Sequence, residues 1–416
     1  MASTSSNLPP PAPPLRWSAT TSAQRRTLIA AGMGWMLDAF DVMLYSLVLT
    51  HLIAAFGMSK STAGLLNTFT LIASAIGSLI FGLLADRFGR RRMLSLSILT
   101  YSLFTFACGF STSITMLATL RFFLGLGMGG EWNSGATLVA ESWPSAWRGR
   151  ALGIVQSSWA IGYALAALVA GLVLAHASWR WVFFVGVLPA LATLWIQHDV
   201  PEPELWQRQR AAPAADKPAL WRACTGRLLA LLLMNTFGMF AWWGLFTWLP
   251  AYLVLPVAQG GRGFALLGST QFLIILNLCG MLPGYLLFGV FADRWGRKRT
   301  IVGYLVIAAA LVPWFASARA PGEILLSASL VAFFGTGFFT GSGILGSELF
   351  PTPIRATALG VSYNVARGLS AFAPLVIGSV GESRGLAWAF GLCGIAFALA
   401  AASALLVPET RGLELA

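Results

Sequence analysis

The sequence is short of charged residues, of histidine and of cysteine. Only 10% of the 416 residues are charged, while 57% are hydrophobic. A soluble protein of this length would lack the polar residues needed to cover its surface. The three histidines lie near the ends of apolar stretches, and the four cysteines show no disulfide or metal-ligand spacing. These shortages exclude a soluble domain and argue against a disulfide or metal scaffold.

Enzyme motifs are also missing. The chain has no His-Glu-x-x-His, no nucleophile elbow and no nucleotide-binding loop. The segments between the apolar stretches are too short to form a catalytic or signalling domain. We therefore expect neither an enzyme nor a sensor, and we expect no cofactor and no metal. A membrane sensor or enzyme that does not transport stays as a remote alternative.

Long hydrophobic runs are abundant. A membrane-spanning helix needs about 20 apolar residues, and such stretches occur in two sets of six. We therefore predict an all-α membrane protein with twelve transmembrane helices. The predicted helices lie near 27–51, 64–85, 93–112, 115–141, 150–174 and 179–198, and near 228–255, 267–291, 300–318, 323–347, 356–380 and 385–407.

The net charge of +12 comes from basic residues that are predicted to lie mostly on one side of the membrane. On this helix count, twenty of the 27 Lys and Arg fall on the side that carries both termini, and five fall on the other side. This is the positive-inside bias, and it predicts a multi-pass membrane protein with both termini in the cytoplasm. We expect the membrane to be a bacterial inner (plasma) membrane. Anionic inner-leaflet lipid is an expected partner, and nucleic acid is not.

One motif occurs twice, 207 positions apart. Gly82-Leu-Leu-Ala-Asp86-Arg87-Phe-Gly89-Arg90-Arg91 returns as Gly289-Val-Phe-Ala-Asp293-Arg294-Trp-Gly296-Arg297-Lys298. A second group, Glu141, Pro144, Arg148 and Gly153, returns at the same offset as Glu348, Pro351, Arg355 and Gly360. The chain is therefore a duplication of a unit of about 200 residues.

Each copy of the first motif is predicted to form a tight turn between two helices. The glycines at 89 and 296 can adopt the backbone angles of such a turn. Asp86 and Asp293 can cap or neutralise a helix N-terminus, and the arginines can reach acidic partners or lipid phosphate. A topology-setting basic loop would explain the arginines alone, but not the repeated aspartate and glycine.

This signature resembles that of the major facilitator superfamily of secondary transporters, over essentially the whole chain. The resemblance implies six-helix bundles at 27–198 and 227–407, a central site and alternating access. A disordered cytoplasmic tail (1–26), a cytoplasmic linker (199–226) and a C-terminal tail (408–416) complete the expected organisation. It also implies gating, without substrate contact, by the two motifs. The expected gating residues are Gly82, Asp86, Arg87, Gly89, Arg90, Gly289, Asp293, Arg294, Gly296, Arg297, Glu141, Arg148, Glu348 and Arg355.

Five charged residues remain deep in the predicted helices: Asp38, Asp41, Arg121, Glu131 and Arg367. A charge in the membrane is costly, so such residues are candidates for function. Counting about 1.5 Å per residue places three of them, Asp38, Glu131 and Arg367, near the midplane.

The acids and Arg121 are predicted to handle protons. Asp38 and Asp41 are three residues apart, so they share a helix face, and two neighbouring carboxylates in a low dielectric favour retention of a proton. Glu131 could carry a proton alone. Arg121 keeps its charge and is a candidate partner for a carboxylate that loads and unloads protons. The alternative is that these charges pair permanently and only hold the helices together.

Arg367 is the candidate for anion binding, since the second half has no deep acid to pair with it. A substrate carboxylate would bind its guanidinium through two hydrogen bonds. Tyr363, Asn364, Trp243 and Tyr163 are further candidates to line the substrate path. The alternatives for Arg367 are backbone carbonyls or an acid of the first half; for the aromatic side chains they are packing or contact with lipid.

Two segments narrow the resemblance further: Leu37-Asp38-Ala39-Phe40-Asp41, and Arg121-x-x-x-Gly125-x-Gly127-x-Gly129-Gly130-Glu131-Trp132. Together they resemble proton-coupled metabolite symporters, in particular the sialate/lactate and aromatic-acid branches. We therefore predict a monomeric transporter, driven by a proton gradient, that imports a small organic anion such as a monocarboxylate, an aromatic acid or sialic acid. The alternatives are proton-coupled drug efflux and uptake of a neutral sugar or polyol. Drug antiporters of this family are marked by a Gly-Pro pair in the fifth helix. Here Gly162 is followed by Tyr163, so the resemblance favours import over efflux.

Overall fold

The structure is a computed structural model that describes residues 18, 20–202, 217–350 and 352–411. The predicted tails and linker lie partly outside these residues, and the side chains of Asp86, Arg148 and Arg355 also lie outside the described part. Across the described ranges the chain forms helices and no strands.

Twelve helical segments follow the twelve predicted stretches, which confirms the predicted fold class. The first half contains α1 (Ser22–Phe56), α2 (Lys60–Phe88), α3 (Arg90–Cys108), α4 (Ile114–Ser142), α5 (Ser145–His176) and α6, in two pieces (Trp179–Val185 and Ala190–Asp199). The second half contains α7 (Lys217–Val254), α8 (Leu266–Ile275, Leu276–Met281 and Leu282–Trp295), α9 (Arg297–Ser317), α10 (Pro321–Leu349), α11 (Thr352–Ser370 and Ala373–Arg384) and α12 (Leu386–Ala404).

Local sequence explains where several helices begin and end. Thr21 and Gln24 form a reciprocal capping box at the start of α1. Ser59 caps α2 by accepting from the backbone N–H of Thr62. Gly57 ends α1 in the left-handed conformation, with φ of 58°.

Two helices are interrupted near a proline. In α8 a π-helical segment, Leu276–Met281, precedes Pro283, and in α11 a break precedes Pro374. Proline lacks the N–H needed for the helical hydrogen bond, so the preceding turn must adapt. Irregular backbone at membrane depth is tolerated where protein surrounds it.

The exterior of the bundle is apolar. Nine of the helical segments in the described ranges are long and apolar enough to cross a membrane. Large side chains such as Leu83, Leu172 and Leu194 are well exposed on the outside. Polar and charged side chains are instead buried between helices, as expected for a protein whose surroundings are lipid.

The repeat is visible in the packing of each half. Gly77 of α2 lies against the backbone of Leu126 on α4, and Gly284 of α8 lies against the backbone of Phe333 on α10. The two pairs differ by the same 207 positions. Small residues permit such close helix approach in membranes. The two halves meet where α1 packs on α7, α2 on α11 and α5 on α8.

Candidate functional site

All five charges predicted to lie inside the bundle are buried, with at most 3% of any of them exposed. Asp38 and Asp41 lie on α1, Arg121 and Glu131 on α4, and Arg367 on α11. The structure divides them into a central group of three, which spans both halves, Asp41, which lies beside this group on α1, and Arg121, which has other neighbours.

Asp38, Glu131 and Arg367 form the central group and interact electrostatically. Within the described residues, neither carboxylate oxygen of Asp38 has a hydrogen-bond partner, and neither do Nε and Nη2 of Arg367. The Arg367 guanidinium lies over the ring of Trp243, with 5.7 Å between Cζ and the ring centroid. The aromatic face stabilises the cation and leaves N–H groups available for another ligand.

Glu131 lies against α1 because Gly34 leaves room for it. A side chain at position 34 would collide with the Glu131 carboxylate at Oε1. Oε2 has no hydrogen-bond partner in the described part of the chain. Because Gly34 has no Cβ, Glu131 can approach the α1 backbone close to the other members of the central group.

Asp41 lies one turn further along α1 than Asp38, and the two carboxylates interact electrostatically, as their spacing predicts. The hydroxyl of Thr105 donates a hydrogen bond to Asp41 Oδ2 at 3.3 Å. Oδ1 has no partner among the residues that the structure describes. Asp41 therefore has a single long hydrogen bond in the described part of the chain, and its proton-handling role stays a prediction.

Arg121 has a neutral partner instead of the predicted carboxylate. Its Nη2 donates to Asn67 Oδ1 at 2.9 Å, and its Cζ lies 3.7 Å from the ring centroid of Tyr45. Asn67 in turn donates to Thr247 Oγ1 of the second half at 3.1 Å. No ion pair in the described ranges includes Arg121, so the predicted carboxylate partner is corrected to Asn67. The coupling role of Arg121 stays a prediction.

Six aromatic side chains form a closed ring of contacts, which we call the aromatic ring, beside the central charges. Going around it, the centroid distances are 4.6, 5.9, 6.5, 5.6, 5.8 and 4.8 Å. Three members come from each half. In order around the ring they are Trp35, Trp132, Tyr363, Phe339, Trp242 and Trp159.

The aromatic ring lies beside the central charges. Trp35 lies one helical turn before Asp38, and Tyr363 lies one turn before Arg367. The Tyr363 hydroxyl interacts electrostatically with Arg367, Asp38 and Glu131. Trp35 Nε1 donates to Gln156 Oε1 at 3.0 Å, which fixes the orientation of that indole.

Sequence reasoning missed most of the aromatic ring, although a signal was present. Trp35 and Trp242 are 207 positions apart, and so are Trp132 and Phe339. The repeat therefore places aromatic residues at two equivalent positions in both halves. Which face of each helix points inward could not be read from the sequence, so these side chains were not distinguished from lipid-facing ones.

The predicted substrate-binding residues are placed unevenly. Tyr363 belongs to the aromatic ring, and Trp243 contacts both Trp242 and Trp159, at 4.9 and 6.2 Å. Asn364, which follows Tyr363 in the sequence, is also buried. Tyr163 is buried with no partner for its hydroxyl in the described part, next to the close approach of α5 and α1 at Gly162.

The first copy of the repeated motif forms the α2–α3 turn. Gly89 has φ of 108°, a conformation that favours glycine, which confirms the predicted turn. Arg90 donates to the backbone carbonyl of Ala85 at 2.8 Å and forms an ion pair with Glu141 at 3.3 Å. Arg87 points outward and is exposed.

The second copy forms the equivalent α8–α9 turn. Gly296 has φ of 100°. Arg297 donates to the carbonyl of Ala292 at 3.2 Å and forms ion pairs with Asp293 at 3.0 Å and with Glu348 at 3.3 Å. Arg294 is exposed, as Arg87 is in the first copy. Gly82 lies within α2, and Gly289 faces open space within α8.

Two acids outside the motif bind the starts of α3 and α9. Glu202 accepts from the backbone N–H groups of Arg90 and Arg91, at 2.9 and 3.1 Å. Glu409 accepts from those of Arg297 and Lys298, at 2.8 and 3.2 Å. Asp293 pairs with Arg297 instead of capping a helix. The signal was available, because Val-Pro-Glu occurs at 200–202 and again at 407–409.

A duplicated bundle of twelve apolar helices, with opposed charges and aromatic side chains buried between its halves, is the architecture of a membrane transporter. The chain belongs to the Major Facilitator Superfamily, whose family model matches residues 31–276 and 264–415.

Named relatives are transporters. The chain is 35% identical over 408 residues to a probable 4-methylmuconolactone transporter of Cupriavidus pinatubonensis, covering 96% of this chain and 94% of that protein. It is 30% identical to the sialic acid transporter NanX of Escherichia coli, covering 92% and 93%. The solved structure of the proton:xylose symporter XylE has a TM-score of 0.78 at 20% identity, covering 95% and 98%. These similarities show the family and the fold, and they agree with the prediction that the chain is not an enzyme.

Proposed function

We propose that this protein is a proton-coupled symporter that takes up a small organic anion across a bacterial inner membrane, with both termini in the cytoplasm. The observation that carries the proposal is the Arg367 guanidinium, buried in the second half opposite two acids of the first half. The name of the Escherichia coli relative, which refers to sialic acid, supports this substrate class.

Arg367 is suited to bind the substrate carboxylate. Its Nε and Nη2 lack partners among the described residues, and a buried donor without a partner costs free energy. A carboxylate would satisfy both N–H groups at once. Because Arg367 lies over Trp243, the bound anion would lie beside the aromatic ring.

Charge balance links this anion to a proton. Asp38 and Glu131 already share the low-dielectric centre with Arg367. An additional anion there would leave net negative charge in the membrane, which is unfavourable. Protonation of one acid as the substrate binds offsets the charge that the anion adds, so proton and anion move together.

Arg121 and the repeated motifs would link the site to the movement of the halves. Arg121 holds Asn67, which contacts Thr247 across the boundary between the halves. On α1, Asp41 lies between Asp38 and Tyr45, whose ring contacts Arg121. The motif turns hold adjacent helices at the other end through Arg90 and Arg297, and we assign them the gating role.

Uptake into proteoliposomes with an acidic exterior tests the proposal. The panel is lactate, benzoate, sialic acid, a dicarboxylate and xylose. At least one acid should accumulate, and a protonophore should abolish the accumulation. Transport of xylose alone would favour the neutral-sugar alternative and refute anion symport.

Two arginine variants on α11 make the test specific. Arg367→Gln should weaken acid binding about tenfold or more, because a charged hydrogen-bond donor is lost. Arg384→Gln is the matched control, since Arg384 also lies over an indole, that of Trp388 at 4.6 Å, but at an exposed position. Unchanged affinity in Arg367→Gln would remove this residue from the site.

A further inference from the structure

The aromatic ring has two places where a side chain of one half touches a side chain of the other. At one of them Trp132 of α4 meets Tyr363 of α11, with 5.9 Å between centroids and 30° between ring planes. At the other Trp159 meets Trp242 at 5.8 Å and 73°. Only the first brings two nearly parallel faces together.

The Trp132–Tyr363 pair has the geometry of a slot for a flat group. Carbon atoms in van der Waals contact are about 3.5–4.0 Å apart, so a planar group between two rings needs about 7–8 Å. The ring centroids are now 5.9 Å apart, which is too close for an intervening group. A relative movement of the halves by at least about 1–2 Å would open the slot, and alternating access requires the halves to move.

The slot lies beside the candidate anion site. Tyr363 precedes Arg367 by one turn of α11, and its hydroxyl interacts electrostatically with Arg367 and with Asp38. Trp132 follows Glu131 on α4. A carboxylate bound by Arg367 would therefore place its attached group at the boundary between Trp132 and Tyr363.

We propose that the substrate is a planar, conjugated carboxylate whose flat part stacks between Trp132 and Tyr363 while Arg367 binds its carboxylate. This inference rests on the proposed function and narrows the substrate class. Stacking favours flat unsaturated groups. A saturated ring or a bulky polyhydroxylated acid is thicker, requires a wider opening and gains less from the two faces.

A matched pair of acids tests the proposal. Benzoate and cyclohexanecarboxylate have the same number of heavy atoms and the same charge, but only benzoate is flat. Calorimetric titration of the purified wild-type protein at one pH should give about tenfold tighter binding of benzoate. Equal affinities, or tighter binding of the saturated acid, would overturn the proposal without the need for any variant.

Variants of the slot locate the preference. Trp132→Leu should reduce the preference for benzoate to about twofold or less, whereas Trp132→Phe, which keeps a flat face, should retain it. Trp388→Leu, an exposed tryptophan on α12, is the control and should behave as wild type. A preference that survives both Trp132→Leu and Tyr363→Leu would overturn the assignment.

The same titrations separate this inference from the proposed function. If both acids bind equally and Arg367→Gln weakens both, the anion site stands and the planar substrate class is refuted. If neither acid binds while another acid of the uptake panel does, the anion site again stands and the planar class is refuted. If no acid of the panel binds, or if Arg367→Gln leaves benzoate affinity unchanged, the proposed function itself fails and the inference fails with it.

Discussion

Replacing Thr247 with valine tests how the two halves hold each other. Thr247 Oγ1 accepts a hydrogen bond from Asn67 Nδ2 at 3.1 Å, and Asn67 Oδ1 accepts from Arg121 at 2.9 Å. Asn67 and Thr247 are both buried and belong to different halves. Valine has nearly the shape of threonine but cannot accept a hydrogen bond, so the substitution removes the contact and leaves Asn67 Nδ2 without its acceptor.

The size of the effect follows from that lost contact. Hydrogen bonds between membrane helices contribute about 0.6 kcal/mol on average and up to about 1.7 kcal/mol. We take about 1 kcal/mol, because the unsatisfied amide adds to the loss. The equilibrium should therefore shift about fivefold away from the conformation in which this contact is formed.

Distance measurements between spin labels can detect this shift. Thr112 and Ser383 are exposed positions in different halves and would be changed to cysteine for labelling. Cys279 is exposed and must first be replaced by serine, whereas Cys108 and Cys393 are buried. The distance distribution in Thr247→Val should show a larger share of the longer separation.

Thr236→Val is the matched control. Thr236 lies on the same helix, α7, but its hydroxyl donates only to the carbonyl of Leu232 in that helix, at 2.8 Å. The control should retain the wild-type distribution. If the two valine variants behave alike, the Asn67–Thr247 contact does not contribute to the equilibrium, and our explanation of how Arg121 is coupled fails.

Three further predictions follow from the same structure. Asp38→Asn should abolish the stimulation of uptake by an imposed pH gradient but retain counterflow of labelled substrate, because exchange needs no net proton movement; unchanged stimulation would exclude Asp38 as the proton carrier. Glu202→Gln and Glu409→Gln should each lower the free energy of unfolding by about 0.5–1 kcal/mol, because each loses a charged acceptor at a helix N-terminus. The loss should appear as a lower melting temperature, and a wild-type melting temperature would contradict it. Gly77→Leu and Gly284→Leu should lower the yield of folded protein, because each new side chain meets backbone, whereas Gly289→Ala faces open space and should not.

Much of the fold could be predicted because its signals are linear in the sequence. Apolar length located the helices, and the 207-residue offset located the two halves. The turns at Gly89 and Gly296 followed from the repeated glycine, and both adopt positive φ. The burial of Asp38 and Arg367 also followed from their position in apolar stretches, since counting residues gives depth.

The partners of these residues could not be predicted, because they depend on helix rotation and on neutral groups. A carboxylate is the expected partner of a buried arginine, but the partner of Arg121 is the amide of Asn67. The acids at the starts of α3 and α9 were assigned to the motif, whereas Glu202 and Glu409 supply them from segments more than 100 residues away. Depth alone did not show that Trp132 faces Tyr363.

The repeat divides the central site into a duplicated part and an asymmetric part. The positions 35 and 242 both hold tryptophan, and the positions 132 and 339 are both aromatic, so the aromatic ring largely repeats between the halves. The charges do not repeat. Position 245 holds leucine where the first half has Asp38, and position 160 holds alanine where the second half has Arg367.

This division has a physical consequence for coupling. Stacking of a flat substrate between Trp132 and Tyr363 can favour one separation of the halves, but stacking does not respond to protons. The acids and Arg367 lie on opposite halves, so their mutual distance changes whenever the halves move. In the proposed mechanism, binding of an anion and a proton would change that electrostatic attraction, and only this asymmetric part would make the movement depend on both ligands.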